Sequence, residues 1–320
     1  MTQKGGGEPR AVIEVQNLRK TYGPAVAVDG ATFEVRAGEV FGLLGPNGAG
    51  KTTTIHCISG LLKPASGRVR VAGHDVVREG KAARASIGVA PQELALYEEL
   101  SAAENLAYWG GVQGLRGTQL KQRIEETLEL FGLQDRAREA VKRFSGGMKR
   151  RLNFACAVVH GPKVLLLDEP TVGVDPQSRV RLLETVRQQA RQGVCVLYTT
   201  HYMEEAETLC DRLAIMDNGR LIAQGTLGDL RAVLGERELL TLTGTWEERR
   251  IREALDRMEE LEVLHFGPEE LTLAATDASG RLVRILNVLG AAGAEIRGAT
   301  VRQPSLESLF IRLTGKELRE

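Results

Sequence analysis

Three stretches of the chain carry residues whose types and spacing suit phosphate chemistry. The first is GPNGAGKT, Gly45 to Thr52, which has the spacing G-x-x-x-x-G-K-[ST]. Gly45, Gly48 and Gly50 free the backbone to turn its N–H groups inward around phosphate oxygens, with Pro46, Asn47 and Ala49 between them. A helix starting near Gly50 adds the partial positive charge of its N-terminus. Lys51 is then set to meet the β- and γ-phosphates, the Thr52 hydroxyl to ligate Mg²⁺, and Thr53 to donate to the α-phosphate. The second stretch, VLLLDEP, is an apolar run ending in Asp168 and Glu169. Neighbours at a strand end point to opposite sides, so the two acids cannot share one task. Asp168 is assigned to the Mg²⁺ shell, and Glu169 to polarising a water against the γ-phosphate. The third, FSGGMKRRL, puts a serine and two glycines at a helix start but holds no carboxylate, histidine or cysteine. It suits an anion and lacks the groups to react with one. Lys149, Arg150 and Arg151 behind it read either as a solvated helix face, which is favoured, or as help at a phosphate site.

These groups must sit at strand ends and helix starts, and the surrounding sequence has that grammar. VIEVQNL and ATFEVRAG alternate as strands, and EVFGLLG is the continuous apolar run of a strand buried on both faces. GRVRVAG is a further alternating strand; KVLLLDEP and GVCVLYTTH are buried ones, with a helix over 176–192 between them. Asp175-Pro176 suits that helix start, since Asp caps well and Pro is favoured at the first position. DRLAIMDNGRLIAQG reads as a hairpin turning at Asp217-Asn218-Gly219. From Ser101 strand signals stop, and Leu120, Ile124, Leu128 and Phe131 recur at helical spacing, which predicts a helical insert. After about Leu234 a β-α-β-β-α-β order begins: ELLTLTG, a helix over 246–261, EVLHF, LTLAAT, a helix over 280–290, and AEIRGATV. A short helix over 305–314 closes it. This second domain has no glycine loop or paired catalytic groups and reads as regulatory or interface-forming.

Composition narrows the class. A chain of 320 residues is comfortable for two domains, and its 42 basic and 42 acidic residues leave no global basic field for nucleic acid. No run approaches the ~20 apolar residues that span a bilayer. MTQKGGGEPR reads as a disordered arm over 1–10 and lacks the apolar core of a signal peptide. A soluble, cytosolic protein is expected. Cys57, Cys156, Cys195 and Cys210 are scattered singly and read as buried or half-buried free thiols.

From Val12 to Leu230 the sequence resembles the nucleotide-binding subunit of an ABC transporter, with the motifs in family order. GPNGAGKT matches the Walker A loop, FSGGM (Ser145, Gly146, Gly147, Met148) the signature, and VLLLDEP Walker B with its catalytic glutamate. The resemblance adds Tyr22 as the aromatic that stacks on adenine. It adds Gln92 as the glutamine that reaches the metal and the attacking water. Asp175 becomes the dimer-contact aspartate of the D-loop, and His201 the switch histidine at the γ-phosphate. Phe144 and Met148 stand where Leu and Gln are usual, and Val174 where Leu is usual. The implied fold is α/β: a P-loop ABC-type nucleotide-binding domain over 11–232 with a helical subdomain over about 101–160, then a small α+β accessory domain over 236–320.

PQELALYEELSAAENL, EPTVGVDP, THYMEEAE and SLESLFIRLTGKELRE resemble the drug- and antibiotic-resistance exporter branch, of the daunorubicin-resistance type. That likeness implies ATP and Mg²⁺, a second copy supplying the signature in trans, and a separate membrane permease. It implies a location on the inner face of the cell membrane and no direct nucleic-acid partner. The alternatives are an ABC-type ATPase acting on DNA or ribosomes, and a purely regulatory ATP-binding module. Neither a long coiled-coil insertion nor a second cassette favours the first, and the presence of Glu169 and His201 disfavours the second.

Overall fold

A computed structural model describes residues 11–234, 237–256, 258, 261–302 and 305–314, so the arm over 1–10 lies outside the described residues. Contacts divide the chain into two units, one ending at Gln224 and one beginning at Gly225.

The first unit opens with β1 (Ala11–Tyr22), β2 (Ala25–Arg36), β3 (Val40–Leu44), α1 (Lys51–Ile58), β4 (Ser66–Val71), β5 (His74–Asp75), α2 (Gly80–Arg84) and β6 (Ile87–Ala90). The helical insert comes next as α3 (Ala102–Val112), α4 (Gly117–Leu130) and α5 (Gly146–Val158). The unit closes with β7 (Val164–Asp168), α6 (Pro176–Arg191), β8 (Cys195–Thr200), α7 (Met203–Leu209), β9 (Arg212–Asp217) and most of β10 (Arg220–Thr226), whose last two residues fall past the boundary.

Two sheets result. An antiparallel one has the order β2-β1-β4-β5, and a second runs β10-β9-β3-β8-β7-β6. In the latter β9, β3, β8, β7 and β6 are parallel. β9 and β10 form the expected hairpin; Asn218 and Gly219 have φ of 46° and 80°, the left-handed pair a two-residue turn needs. Alternation along each central strand fills two cores. Leu166 and Leu197 face α1 and the antiparallel sheet, with Ile13, Val15 and Phe41. Leu165, Leu167, Val196 and Tyr198 face α5 and α6, with Leu152, Phe154 and Leu182. β6 has no counterpart among the strands expected from sequence: four residues are too short for a period to register, and Gly88 breaks the apolar run.

The second unit comprises α8 (Leu227–Leu234), β11 (Arg237–Thr245), α9 (Glu248–Leu255), β12 (Leu261–Phe266), β13 (Glu270–Thr276), α10 (Ala278–Ala291), β14 (Glu295–Arg302) and α11 (Leu306–Thr314). Its antiparallel sheet has the order β12-β13-β11-β14, the split βαβ arrangement. Leu240, Leu242, Leu271 and Leu273 face α9 and α10, while Leu239 and Ala274 on the other face meet Ile311 of α11. Two boundaries differ from those read in the sequence. The unit begins at Gly225, ahead of 236, because α8 packs on α11. The first helix is shorter than 246–261, because Leu261 already pairs with Ala275 in the sheet. Among the described residues no helix is long and apolar enough to cross a membrane.

Candidate active site

The carboxyl ends of β3, β8, β7 and β6 stand side by side, and the loops leaving these four strands form the site. After β3 comes the glycine loop. At Gly45 a Cβ would lie 2.2 Å from the Met216 carbonyl oxygen, so a larger residue would push the loop off β9. Gly50 has φ of 107°, and a Cβ there would meet the Ala27 carbonyl at 2.4 Å. At Gly48, φ 81°, the space beside the backbone is open, as a loop that admits phosphate requires. The Gly219 N–H donates to the Ala49 carbonyl at 3.0 Å and fixes the loop to the hairpin. Thr52 and Thr53 occupy the first turn of α1.

Lys51 is buried, with all three ammonium donors directed. Nζ donates to the Gly45 carbonyl at 2.7 Å and the Pro46 carbonyl at 3.0 Å, and lies 3.0 Å from Glu169 Oε1. Glu169 is only 4% exposed, yet Oε2 also meets His201 Nδ1 at 3.1 Å and accepts from Gln92 Nε2 at 3.5 Å. Lys51, Glu169, His201 and Gln92 are thus brought together.

The backbone explains how Glu169 gets there. Its φ is 46°, a left-handed conformation that costs a non-glycine residue about 1–3 kcal/mol. This breaks the strand alternation just after Asp168. Thr199, opposite on β8, holds the turn: its hydroxyl accepts from the Glu169 N–H at 3.0 Å and donates to Asp168 Oδ1 at 2.6 Å. Thr199 orients both acids, and sequence reasoning passed over it. The one signal was the paired threonines before His201.

Ser145 caps α5, accepting from the Met148 N–H at 3.2 Å. Ser145 and Gly146 are exposed, while Gly147 is buried on the start of α6. A Cβ at Gly147 would lie 2.6 Å from Ser178 Oγ and 3.0 Å from Asp175 Oδ2. Asp175 caps α6 through the Ser178 N–H at 2.9 Å, and hydrogen bonds from Ser178 hold its carboxyl below the usual range. Among the described residues, no hydrogen bond of Ser145–Met148 reaches the Lys51–Glu169 cluster.

The bases behind the signature are not the solvated face favoured from sequence. Lys149 Nζ meets Glu98 Oε1 at 2.5 Å, Arg150 donates to the Gln92 carbonyl, and Arg151 donates to the Phe131 carbonyl at 2.8 Å. Asn153, one turn on, accepts from the Ala95 N–H at 3.0 Å and donates to the Pro91 carbonyl at 3.1 Å. Partners from the segment after β6 hold Lys149, Arg150 and Asn153, and the end of α4 holds Arg151.

Tyr22 stands apart, half exposed at the end of β1 with Lys20 Nζ 5.3 Å from its ring centroid. Its open face can take a flat base. Cys57, Cys156 and Cys195 are buried and Cys210 is half-buried, all as free thiols; burial pushes each thiol pKa up, away from reactivity.

An open glycine loop, a helix N-terminus and a buried lysine fit a triphosphate. Among the described residues, no group of three or more His, Cys, Asp or Glu forms a metal cage. Asp168 Oδ1 is taken by Thr199, and no described donor meets Oδ2. One carboxylate oxygen and a hydroxyl fit Mg²⁺, which takes few protein ligands and completes its shell with phosphate and water.

This sheet and loop define a P-loop ATPase. The family described as ABC transporter matches residues 28–172. The linearmycin resistance ATP-binding protein of Bacillus subtilis is 43% identical over 97% of this chain and 100% of its own. The daunorubicin/doxorubicin resistance ATP-binding protein of Streptomyces peucetius is 40% identical over 96% and 94%. The Nod factor export ATP-binding protein I of Paraburkholderia xenovorans is 38% identical over 98% and 100%. A solved ATP-binding subunit of an ABC transporter superposes with a TM-score of 0.65 at 35% identity, covering 70% of this chain and 93% of that one. The chain belongs to the ATP-binding proteins of the ABC transporter family, ATPases that power transport.

Proposed function

We propose that this ATPase hydrolyses ATP in two composite sites of a homodimer and so drives export of an antibiotic- or lipid-like compound through a separate membrane permease. The observation that carries the site reading is Glu169, buried and met at once by Lys51, His201 and Gln92. The export reading rests on relatives named for drug resistance and Nod factor export. A place on the cytoplasmic face of the membrane follows from docking on the permease.

Tyr22 stacks the adenine, and the loop Gly45–Gly50 wraps the phosphates with its N–H groups. Thr53 donates to the α-phosphate. Incoming phosphates compete for Lys51 and draw it from Glu169, which frees a carboxylate oxygen for water. Thr52, Asp168 and Gln92 would hold Mg²⁺, which would supply charge neutralisation for the bound phosphates. Glu169 accepts a proton as the water oxygen attacks the γ-phosphorus; the bond to the β-bridging oxygen breaks, leaving ADP and phosphate. His201 donates to the γ-phosphate and aligns Glu169. The exposed Ser145–Gly147 start of α5, with Met148, covers the γ-phosphate bound to a second copy, and Asp175 lies at the contact between copies.

Glu169→Gln tests this reading. ATP binding is retained, turnover stops, and a nucleotide-bound dimer accumulates on gel filtration. Normal turnover in this variant removes the general-base assignment.

A further inference from the structure

A further buried carboxylate lies beside Asp168 and Glu169 in the same fold core, and the proposed catalytic roles leave it unused. Glu205 on α7 is 4% exposed. Its Oε2 accepts from the Thr171 hydroxyl at 2.9 Å, the Tyr198 hydroxyl at 2.8 Å and the Thr200 hydroxyl at 3.1 Å. Its Oε1 lies 3.5 Å from Arg179 Nε. A buried carboxylate is expensive unless its lone pairs are filled, and an apolar residue of similar volume would stabilise the fold as well or better. Stability alone therefore does not explain Glu205.

Its partners do. Thr171 is two residues past Glu169, within the segment that leads to Asp175. Thr200 directly precedes His201, and its hydroxyl also accepts from the Tyr202 N–H at 2.9 Å. Arg179, on the first turns of α6 after the Asp175 cap, sits 4.9 Å from the Tyr202 ring centroid. The Tyr202 ring in turn lies 4.2 Å from the His201 ring. Tyr198 is fully buried on β8; burial first, then the charge of Glu205, pushes its phenol pKa up and keeps it a donor. One carboxylate therefore joins the backbone after Glu169, the backbone before His201 and the start of the Asp175 helix.

We propose that Glu205 is a positioning residue that holds Glu169 and His201 in register and ties that pair to the segment carrying Asp175. The proposal rests on the catalytic reading of Glu169 and His201. It predicts that loosening the knot slows the chemical step and leaves nucleotide binding intact. In physical terms, the 3.1 Å contact between Glu169 and His201 needs its two loops fixed together, and small displacements of catalytic groups are costly.

The test is steady-state ATP hydrolysis by the purified full-length chain with Mg²⁺-ATP, alongside nucleotide binding and melting temperature. Glu205→Gln keeps the shape and one acceptor oxygen but places an amide or a neutral oxygen before Arg179. It should lower kcat about tenfold with KM for ATP within about twofold of wild type. Thr171→Val removes one donor isosterically and should lower kcat about threefold, again with KM flat. The double variant should be no slower than Glu205→Gln alone, because both changes cut one link. If Glu205→Gln does not fold, Thr171→Val and Arg179→Gln carry the test in the same way, with losses in kcat that do not multiply. Wild-type kcat per folded molecule in Thr171→Val and Arg179→Gln, with only the melting temperature changed, overturns the proposal. A raised KM at unchanged kcat overturns it too. Glu169→Gln run in parallel separates the two readings. If it abolishes turnover while the knot variants are fully active, only the knot is wrong; if it turns over normally, the catalytic reading fails and the knot with it.

Discussion

The two features proposed to bind phosphate are built in opposite ways. Around Lys51 every charge is met from within: carbonyls of the loop and Glu169 take the ammonium, and His201 and Gln92 crowd the same carboxylate. Around Ser145 the helix start is capped and braced from behind by Asp175 and Ser178, but Ser145 and Gly146 face outward. One region has chemistry and is closed on itself; the other has N–H donors and no reactive group. On the proposed function a single copy carries halves of two different sites, and the proposed dimer is the arrangement that completes both.

The largest effects should come from breaking each half and then mixing them. Glu169→Gln should lower kcat by about 10²–10⁴, the range for a lost general base, while retaining ATP. Ser145→Arg fills the exposed helix start and should cost about 10²–10³ in turnover, as for a lost oxyanion donor, with ATP binding per monomer unchanged. Each variant alone should keep at most about one per cent of wild-type turnover. An equal mixture should recover about a quarter of wild-type activity, because half the dimers carry one intact composite site. If the mixture stays inactive, the two halves do not act across a subunit boundary.

A middle-sized effect should come from uncoupling the regions where they join. Asn153 grips the Pro91 carbonyl and the Ala95 N–H from the signature helix, and Trp109 Nε1 holds the Ala95 carbonyl at 3.1 Å. The segment bearing Gln92 thus rides on the helical insert. Asn153→Ala leaves half-buried backbone groups without partners and should cost about 1–3 kcal/mol in urea unfolding. It should also make the bonds at 91–98 more susceptible to limited proteolysis and lower kcat severalfold. Full protection of that segment would mean that Arg150, Trp109 and Lys149 suffice to hold it.

Legibility in the sequence divides along the same line. Lys51, Asp168 and Glu169 were readable because a buried strand followed by glycine or acid is a local pattern with one mechanical reading. The three-dimensional convergence was not, because it depends on strand order: β3, β8, β7 and β6 are neighbours in space and far apart in the chain. Thr199 and Glu205 escaped for that reason; each looks like an ordinary strand or helix residue until its partners from other segments are known. The sequence rule that adjacent strand residues diverge also needed the left-handed turn at Glu169, which no composition signal marks. Lys149, Arg150 and Arg151 were misread because a run of bases on a helix looks solvated unless the carboxylate and carbonyls that capture it are seen.

The smallest expected effect tests whether Tyr22 belongs with the self-contained half at all. It is 50% exposed and shares none of the contacts that join Lys51, Glu169, His201 and Gln92. An exposed ring that stacks on adenine interacts equally with ground state and transition state, since the base is remote from the bond that breaks. Such binding changes KM and leaves kcat alone. Aromatic stacking is worth about 0.5–1.5 kcal/mol beyond area burial, so Tyr22→Leu should raise KM for ATP by about two- to tenfold at constant kcat. Tyr22→Phe keeps the ring face and should match wild type. Because the interaction is with the base, the loss should vanish when the substrate is inorganic tripolyphosphate, which keeps the phosphates and lacks adenine. A fall in kcat for Tyr22→Leu, or an equal loss with tripolyphosphate, would place this residue in the catalytic half after all.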